Sequence, residues 1–234
     1  MNMNIYALAS IGAVAFAFAT VFLLAPLARL IPNWMESQLH RESAGQATQP
    51  PEDEHFLRLP GYPIYVTVAI GATLGFAALA INGATPEGLG LCVYFFSLLL
   101  LLTINIRHLV FPDIIVLPAL GTALLFRALN GDASEFIYGA VAGYVVPYLI
   151  NFFVRLGTKG DTIGYGDMKV FAMAGAWFGL ASLPVLFGAF VLSVIAYASS
   201  IALIGRKTGK PMPLPSGPAH LVASLAVLLY PHVR

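Results

Sequence analysis

The chain alternates long apolar runs with short polar breaks, and the runs have the length a bilayer requires. A helix needs about 20 mostly apolar residues to cross the hydrocarbon core. Runs of this kind predict helices over 5–31, 62–82, 88–110, 112–130, 134–156, 167–182, 184–204 and 217–233. The expected fold is therefore all-α, a polytopic transmembrane helical bundle of about eight helices. The pair divided at Pro184 is the least defined, because its first member is short. Pro184 and Gly188 also fit a kink in one long segment, which gives seven helices instead. One long polar segment, 33–60, interrupts the pattern and carries Gln49-Pro50-Pro51-Glu52-Asp53-Glu54. Its composition suits a solvated loop and not a packed core. The expected organisation is a single membrane domain over 1–234 with 33–60 as a cytoplasmic loop within it.

Composition removes the soluble alternatives. Hydrophobic residues make up 59% of the chain and charged residues only 10%. A soluble domain carries about 25% charged residues, because water must solvate its surface. Met1 to Tyr6 has no basic n-region, and no Ala-x-Ala-like site follows a short apolar stretch. The first apolar run is therefore expected to be a retained transmembrane helix and not a signal peptide. The single cysteine, Cys92, lies in an apolar run, so neither a disulfide framework nor a thiolate zinc site is expected. No internal repeat is visible, which counts against a transporter built from inverted repeats.

Charge orients the helices. With a periplasmic N-terminus, Arg29, Arg41, Arg58, Arg107, Arg155, Lys159, Lys169, Arg206, Lys207 and Lys210 fall on the cytoplasmic side. Only Arg127 and Arg234 fall on the other, so ten of the twelve basic residues obey the positive-inside rule.

Eleven acidic residues are present, and most fall in expected loops where a solvated charge explains them. Two do not dismiss so easily. Asp167 follows Gly164-Tyr165-Gly166 and precedes an apolar helix. Glycines there permit positive φ and close backbone approach, so an extended peptide could lie beside the acid without a Cβ clash. An Asp at a helix start also fits an N-cap. A carboxylate at bilayer-edge depth, however, is costly and points to function. Asp113 follows Pro112 at the start of the fourth expected helix, where the fixed proline φ and the helix dipole favour that pair. Asn105 is a lone polar residue in a very apolar helix, and a helix–helix hydrogen bond is its plain reading.

Three stretches resemble the type IV prepilin leader peptidases, the GxGD family of membrane aspartyl proteases. Ile104-Asn105-Ile106-Arg107 through Leu109-Val110-Phe111-Pro112-Asp113 is similar to the family's Ile-Asp followed by Leu-Pro-Asp. Gly164-Tyr165-Gly166-Asp167-Met168-Lys169 matches its Gly-x-Gly-Asp-x-Lys, and Gly175-Ala176-Trp177-Phe178-Gly179 follows in the same manner. Pro215-Ser216-Gly217-Pro218 resembles the Pro-Phe-Gly-Pro that opens the last helix, with a fainter echo at Leu30-Ile31-Pro32-Asn33-Trp34-Met35-Glu36. The resemblance implies a catalytic pair at Asp167 and position 105. It assigns Gly164, Gly166, Lys169 and Asp113 to shaping the turn and positioning substrate. Lys169 fits a snorkelling interface anchor equally well.

Two departures change what is implied. The family's first cytoplasmic loop usually carries two Cys-x-x-Cys pairs of zinc type, and 33–60 has none. No metal is expected, and the N-methyltransferase activity of bifunctional members is not carried over. S-adenosylmethionine enters only if that activity is retained, and the peptidase chemistry itself needs no cofactor. The second departure is Asn105, which aligns with the family's first catalytic Asp. Asn is nearly isosteric with Asp but cannot shuttle a proton, and losses of this kind cost several orders of magnitude. The chain as written is thus expected to be inactive or impaired, binding substrate better than it cuts. Neither Asp113, eight residues on and past Pro112, nor Asp161, in a loop, is expected to substitute. An introduced Asp→Asn change and a natural degenerate paralogue both account for Asn105. The intact Gly-x-Gly-Asp-x-Lys favours the first.

The expected function is removal of the leader from a type IV pilin or pseudopilin precursor. The site would lie at the cytoplasmic face of a bacterial inner membrane. The expected partners are that prepilin and membrane lipid, with no nucleic acid. A non-catalytic pilin-binding or assembly homologue is the first rival. A small transporter using Asp167 as a coupling carboxylate is the second and less favoured one.

Overall fold

A computed structural model describes residues 64–83, 85–131, 133–157, 163–208 and 215–230, with positions 23, 26–28, 30 and 31. The described residues form α1 (Ile64–Asn82), α2 (Pro86–His108), α3 (Asp113–Asn130), α4 (Ser134–Gly157), α5 (Tyr165–Phe178), α6 (Leu183–Thr208) and α7 (Gly217–Leu229). A short 3-10 turn, Leu180–Ser182, precedes α6, and no strand occurs among the described residues. These seven helices correspond to the last seven of the eight expected. The expected first helix falls almost wholly outside the described residues, as does the 33–60 loop.

The division near Pro184 is real but lies upstream of it. Gly179 adopts φ +84, a conformation that L side chains resist, and its N–H donates to the Gly175 carbonyl at 2.9 Å. The Ser182 hydroxyl then donates to the Gly179 carbonyl at 2.6 Å. Pro184 is the second residue of α6, where a missing N–H costs nothing. Two helices replace the kinked single one for this reason.

The chain divides into two compact units, Met1–Leu109 and Val110–Arg234. In the first, α1 packs on α2. Thr85 caps α2 by accepting the Gly88 N–H at 3.2 Å, and Pro86 takes the first helical position, as its geometry favours. The helix buries Tyr94, Phe95, Leu98, Leu99, Leu101 and Ile104. It ends where Leu109 turns left-handed and donates its N–H to the Asn105 carbonyl at 2.8 Å.

In the second unit α5 is the core. Met168 and every residue from Val170 to Trp177 are buried, because α3, α4 and α7 all pack against it. An all-round apolar helix needs such enclosure. At 14 residues it is about 21 Å long, short of the ~30 Å hydrocarbon core. The span expected over 167–182 is therefore a short internal helix. Glycine brings α4 onto it: a Cβ at Gly139 would collide with backbone at Gly175 and Gly179, and one at Gly143 with the Phe171 backbone. Small residues serve close helix approach in this way.

Four segments, Pro86–Ile106, Asp113–Asn130, Ser134–Gly157 and Leu180–Ser200, are long and apolar enough to cross a membrane. On the second unit Phe153, Leu156, Leu192 and Ile195 are exposed, which suits lipid and not water. The chain is a multi-pass membrane protein.

Candidate active site

The turn around Asp167 is set by where α5 begins. Gly164 is its N-cap residue and Tyr165 its first, so Asp167 is the third residue and not the N-cap. From that position the carboxylate interacts with the Gly164 N–H, the reach-back half of a capping box. The positive end of the helix dipole favours an acid there.

The glycines serve approach and not unusual dihedrals. Gly164 has φ −65 and ψ 147, and positive φ among the described glycines occurs at Gly83, Gly131 and Gly179. The positive φ that glycine permits is thus not used at Gly164 or Gly166. A Cβ at Gly164 would lie 2.9 Å from Asp167 Oδ2, and one at Gly166 would lie 3.0 Å from Phe111 Cδ2. Each glycine leaves room for one specific neighbour.

The last helix supplies the carboxylate's main partner. Ser216 precedes α7, and its carbonyl accepts the His220 backbone N–H at 3.2 Å. One turn into the helix, His220 Nε2 lies 2.9 Å from Asp167 Oδ1. The His220 side chain is only 2% exposed, whereas that of Asp167 is 15% exposed. The carboxylate is accessible; the imidazole behind it is not. Ring centroids of Phe111, Phe171 and Phe190 lie 5.6, 4.7 and 4.5 Å from that of His220. The Ser216 side chain is a further, weaker partner of Asp167.

Helix α4 holds the approach to the turn. Buried Asn151 donates from Nδ2 to the Ile163 carbonyl at 2.6 Å and accepts the Ile163 N–H at 2.9 Å. One turn on, Arg155 donates to the Tyr165 hydroxyl at 2.8 Å. On the other side of Asp167, Lys169 Nζ contacts both Asp113 oxygens, at 2.7 and 2.8 Å. Asp113 opens α3 as the sequence suggested, and Lys169 is tied to it.

Gly164, Gly166, Asp167, Lys169 and Asp113 thus gather in the second unit. Asn105 belongs to the first, on α2, where it is 2% exposed. Asp161 lies outside the described residues. Sequence reasoning missed His220 and Asn151, having searched the apolar helices chiefly for acids. The available signal was the same one that singled out Asn105: a polar or ionisable side chain alone in an apolar helix.

Residues 92–203 match the type IV leader peptidase family. This segment is similar to the members of that family. It contains Asn105, Asp113, Gly164, Gly166, Asp167 and Lys169, whereas Ser216 and His220 fall beyond it. A prepilin leader peptidase/N-methyltransferase of Escherichia coli (strain K12) is 39% identical over 134 residues, covering 56% of this chain and 60% of the relative. Its namesake in Stutzerimonas stutzeri is 31% identical over 172 residues, covering 72% of this chain and 58% of the relative. That of Pseudomonas aeruginosa is 30% identical over 173 residues, with the same coverage of 72% and 58%. The chain therefore spans about three fifths of the length of these leader peptidases. No solved structure matches it.

Proposed function

We propose that this chain is an aspartyl prepilin leader peptidase scaffold, acting on the leader of a type IV pilin or pseudopilin precursor. The observation that carries the proposal is Asp167. It is the one accessible carboxylate on the Gly-x-Gly-Asp turn of a leader peptidase segment, and it is held by partners on its buried side. Aspartyl hydrolysis of an amide asks one carboxylate to take a proton from water. A second, protonated group hydrogen-bonds the scissile carbonyl and later assists the leaving amine. We assign the first group to Asp167 and the second to position 105, with the substrate's apolar helix among the membrane helices. The site faces the cytoplasm of a bacterial inner membrane in this reading. Peptidase chemistry of this kind needs no cofactor. The absence of Cys-x-x-Cys pairs from 33–60 favours the peptidase over the methyltransferase half of the relatives' name.

Asn105 supplies no acid, so the chain as written is expected to capture precursor and cut it poorly. The same residue favours a second reading, a non-catalytic pilin-binding homologue. Co-expression with a candidate prepilin separates the two, comparing the chain, Asn105→Asp, and Asn105→Asp with Asp167→Asn. Shortening of the precursor by Asn105→Asp alone is the expected result. Bound but uncut precursor with every pilin tried supports the second reading.

A further inference from the structure

His220 is a histidine placed where a purely apolar helix would serve packing equally well. It lies on α7, its ring enclosed by Phe111 from the segment before α3, Phe171 from α5 and Phe190 from α6. Three phenyl rings offer an imidazole no conventional hydrogen-bond acceptor, so burying it there is costly unless its polar atoms find partners elsewhere. Nε2 meets Asp167 Oδ1 at 2.9 Å. Because the ring is 2% exposed and fixed by its neighbours, it has no path of its own to a substrate. It can act only through the carboxylate.

We infer that His220 is the positioning residue of Asp167: its Nε2–H fixes Oδ1, so that the exposed part of the carboxylate is presented to water and substrate in one orientation. The inference rests on the peptidase reading of Asp167 and extends it to a residue outside the family segment. It also gives the Pro215-Ser216-Gly217-Pro218 start of α7 a task. That turn sets the helix phase, so that Ser216 and His220, four residues apart, both reach the acid. Misplacing a reacting group by about 1 Å costs on the order of 10²-fold in rate, which is the scale of effect expected when the donor is removed.

The test crosses shape against chemistry in the Asn105→Asp background. His220→Phe keeps an aromatic ring in the aromatic cage and removes the donor. His220→Gln loses the ring but carries an amide N–H where Nε2 was. If the donor matters, His220→Phe lowers kcat on a prepilin peptide by about 10²-fold with KM little changed, and His220→Gln recovers at least tenfold of that loss. Equal activity of the two variants, or higher activity of His220→Phe, overturns the inference and leaves the peptidase reading standing. If the Asn105→Asp parent itself leaves every prepilin uncut, the peptidase reading fails. The pairing is then decided by thermal unfolding of each His220 variant with and without Asp167→Asn. Asp167→Asn should lower Tm clearly less in His220→Phe than in the parent. Equal losses in the two backgrounds mean no coupling and overturn the inference.

Discussion

Asn151 grips Ile163 by both of its backbone polar groups, donating to the carbonyl at 2.6 Å and accepting from the N–H at 2.9 Å. Ile163 immediately precedes the Gly164 cap of α5, so this side-chain clamp on α4 fixes how the chain enters the turn that carries Asp167. An amide side chain is suited to the task because it offers a donor and an acceptor side by side. Asn151→Leu removes both bonds and leaves two backbone groups without their partner. It should cost about 1–3 kcal/mol of stability. Cleavage in the Asn105→Asp background should fall by about tenfold or more, because the turn is no longer fixed. Thermal unfolding in detergent and a prepilin cleavage assay read the two effects. Retained activity at full occupancy of the fold would show that the turn holds itself.

The glycines of the turn should separate activity from stability. A Cβ at Gly164 meets Asp167 Oδ2 at 2.9 Å, while one at Gly166 meets Phe111 at 3.0 and 3.3 Å. The first neighbour is a partly exposed carboxylate that can swing aside, and the second is a buried ring wedged against His220. In the Asn105→Asp background, Gly164→Ala is therefore expected to abolish most cleavage while shifting Tm by only a few degrees. Gly166→Ala should cost about 1–3 kcal/mol, the usual penalty of overpacking. Parallel melting curves and initial rates test the distinction, and identical behaviour of the two variants would contradict it.

The Lys169–Asp113 pair predicts a small energy and a specific rescue. Both side chains are substantially exposed, at 32% and 53%, so the pair should be worth less than about 1 kcal/mol and weaken with salt. A double-mutant cycle with Lys169→Met and Asp113→Asn measures this coupling. The swap Lys169→Asp with Asp113→Lys should recover the Tm lost in either single charge reversal. If Lys169 serves only to hold Asp113, cleavage in the Asn105→Asp background returns with the swap. If cleavage stays low while Tm recovers, the ammonium contacts substrate.

Much of this arrangement is legible in the amino-acid sequence, for a physical reason. Membrane helices announce themselves by length and apolarity, which is why α1 to α4 match their expected bounds within about two residues. The candidate site is legible to the extent that its chemistry is written in rare residue types, as at Asp167 and Asp113. What the sequence does not reveal depends on which faces meet. His220 and Asp167 are 53 residues apart, and nothing local marks them as partners. The shortness of α5 is hidden for a related reason. A helix enclosed by others reads as apolar as one facing lipid, so hydropathy alone makes 167–182 look like a span. The break at Gly179 is masked by Pro184, a stronger local signal in a position where proline does no harm.

Glycine-to-alanine changes along the helices of the second unit should fall into two opposite groups. Gly139 sits where a Cβ would strike the backbone of Gly175 and Gly179, so Gly139→Ala forces α4 and α5 apart and no side chain can yield. Forcing the helices apart should cost at least about 1–3 kcal/mol. Because α5 carries Asp167, cleavage in the Asn105→Asp background should fall in the same variant. Gly121 on α3 is the opposite case, where an added Cβ would meet nothing within 4 Å. Gly121→Ala there adds helix propensity without a clash, and should gain about 0.5–1 kcal/mol. The contrast isolates packing from propensity, since both changes add the same methyl group to a helix. Tm measurements on the two variants decide it. A loss at Gly121 similar to that at Gly139 would mean that α3 has a close neighbour at that face.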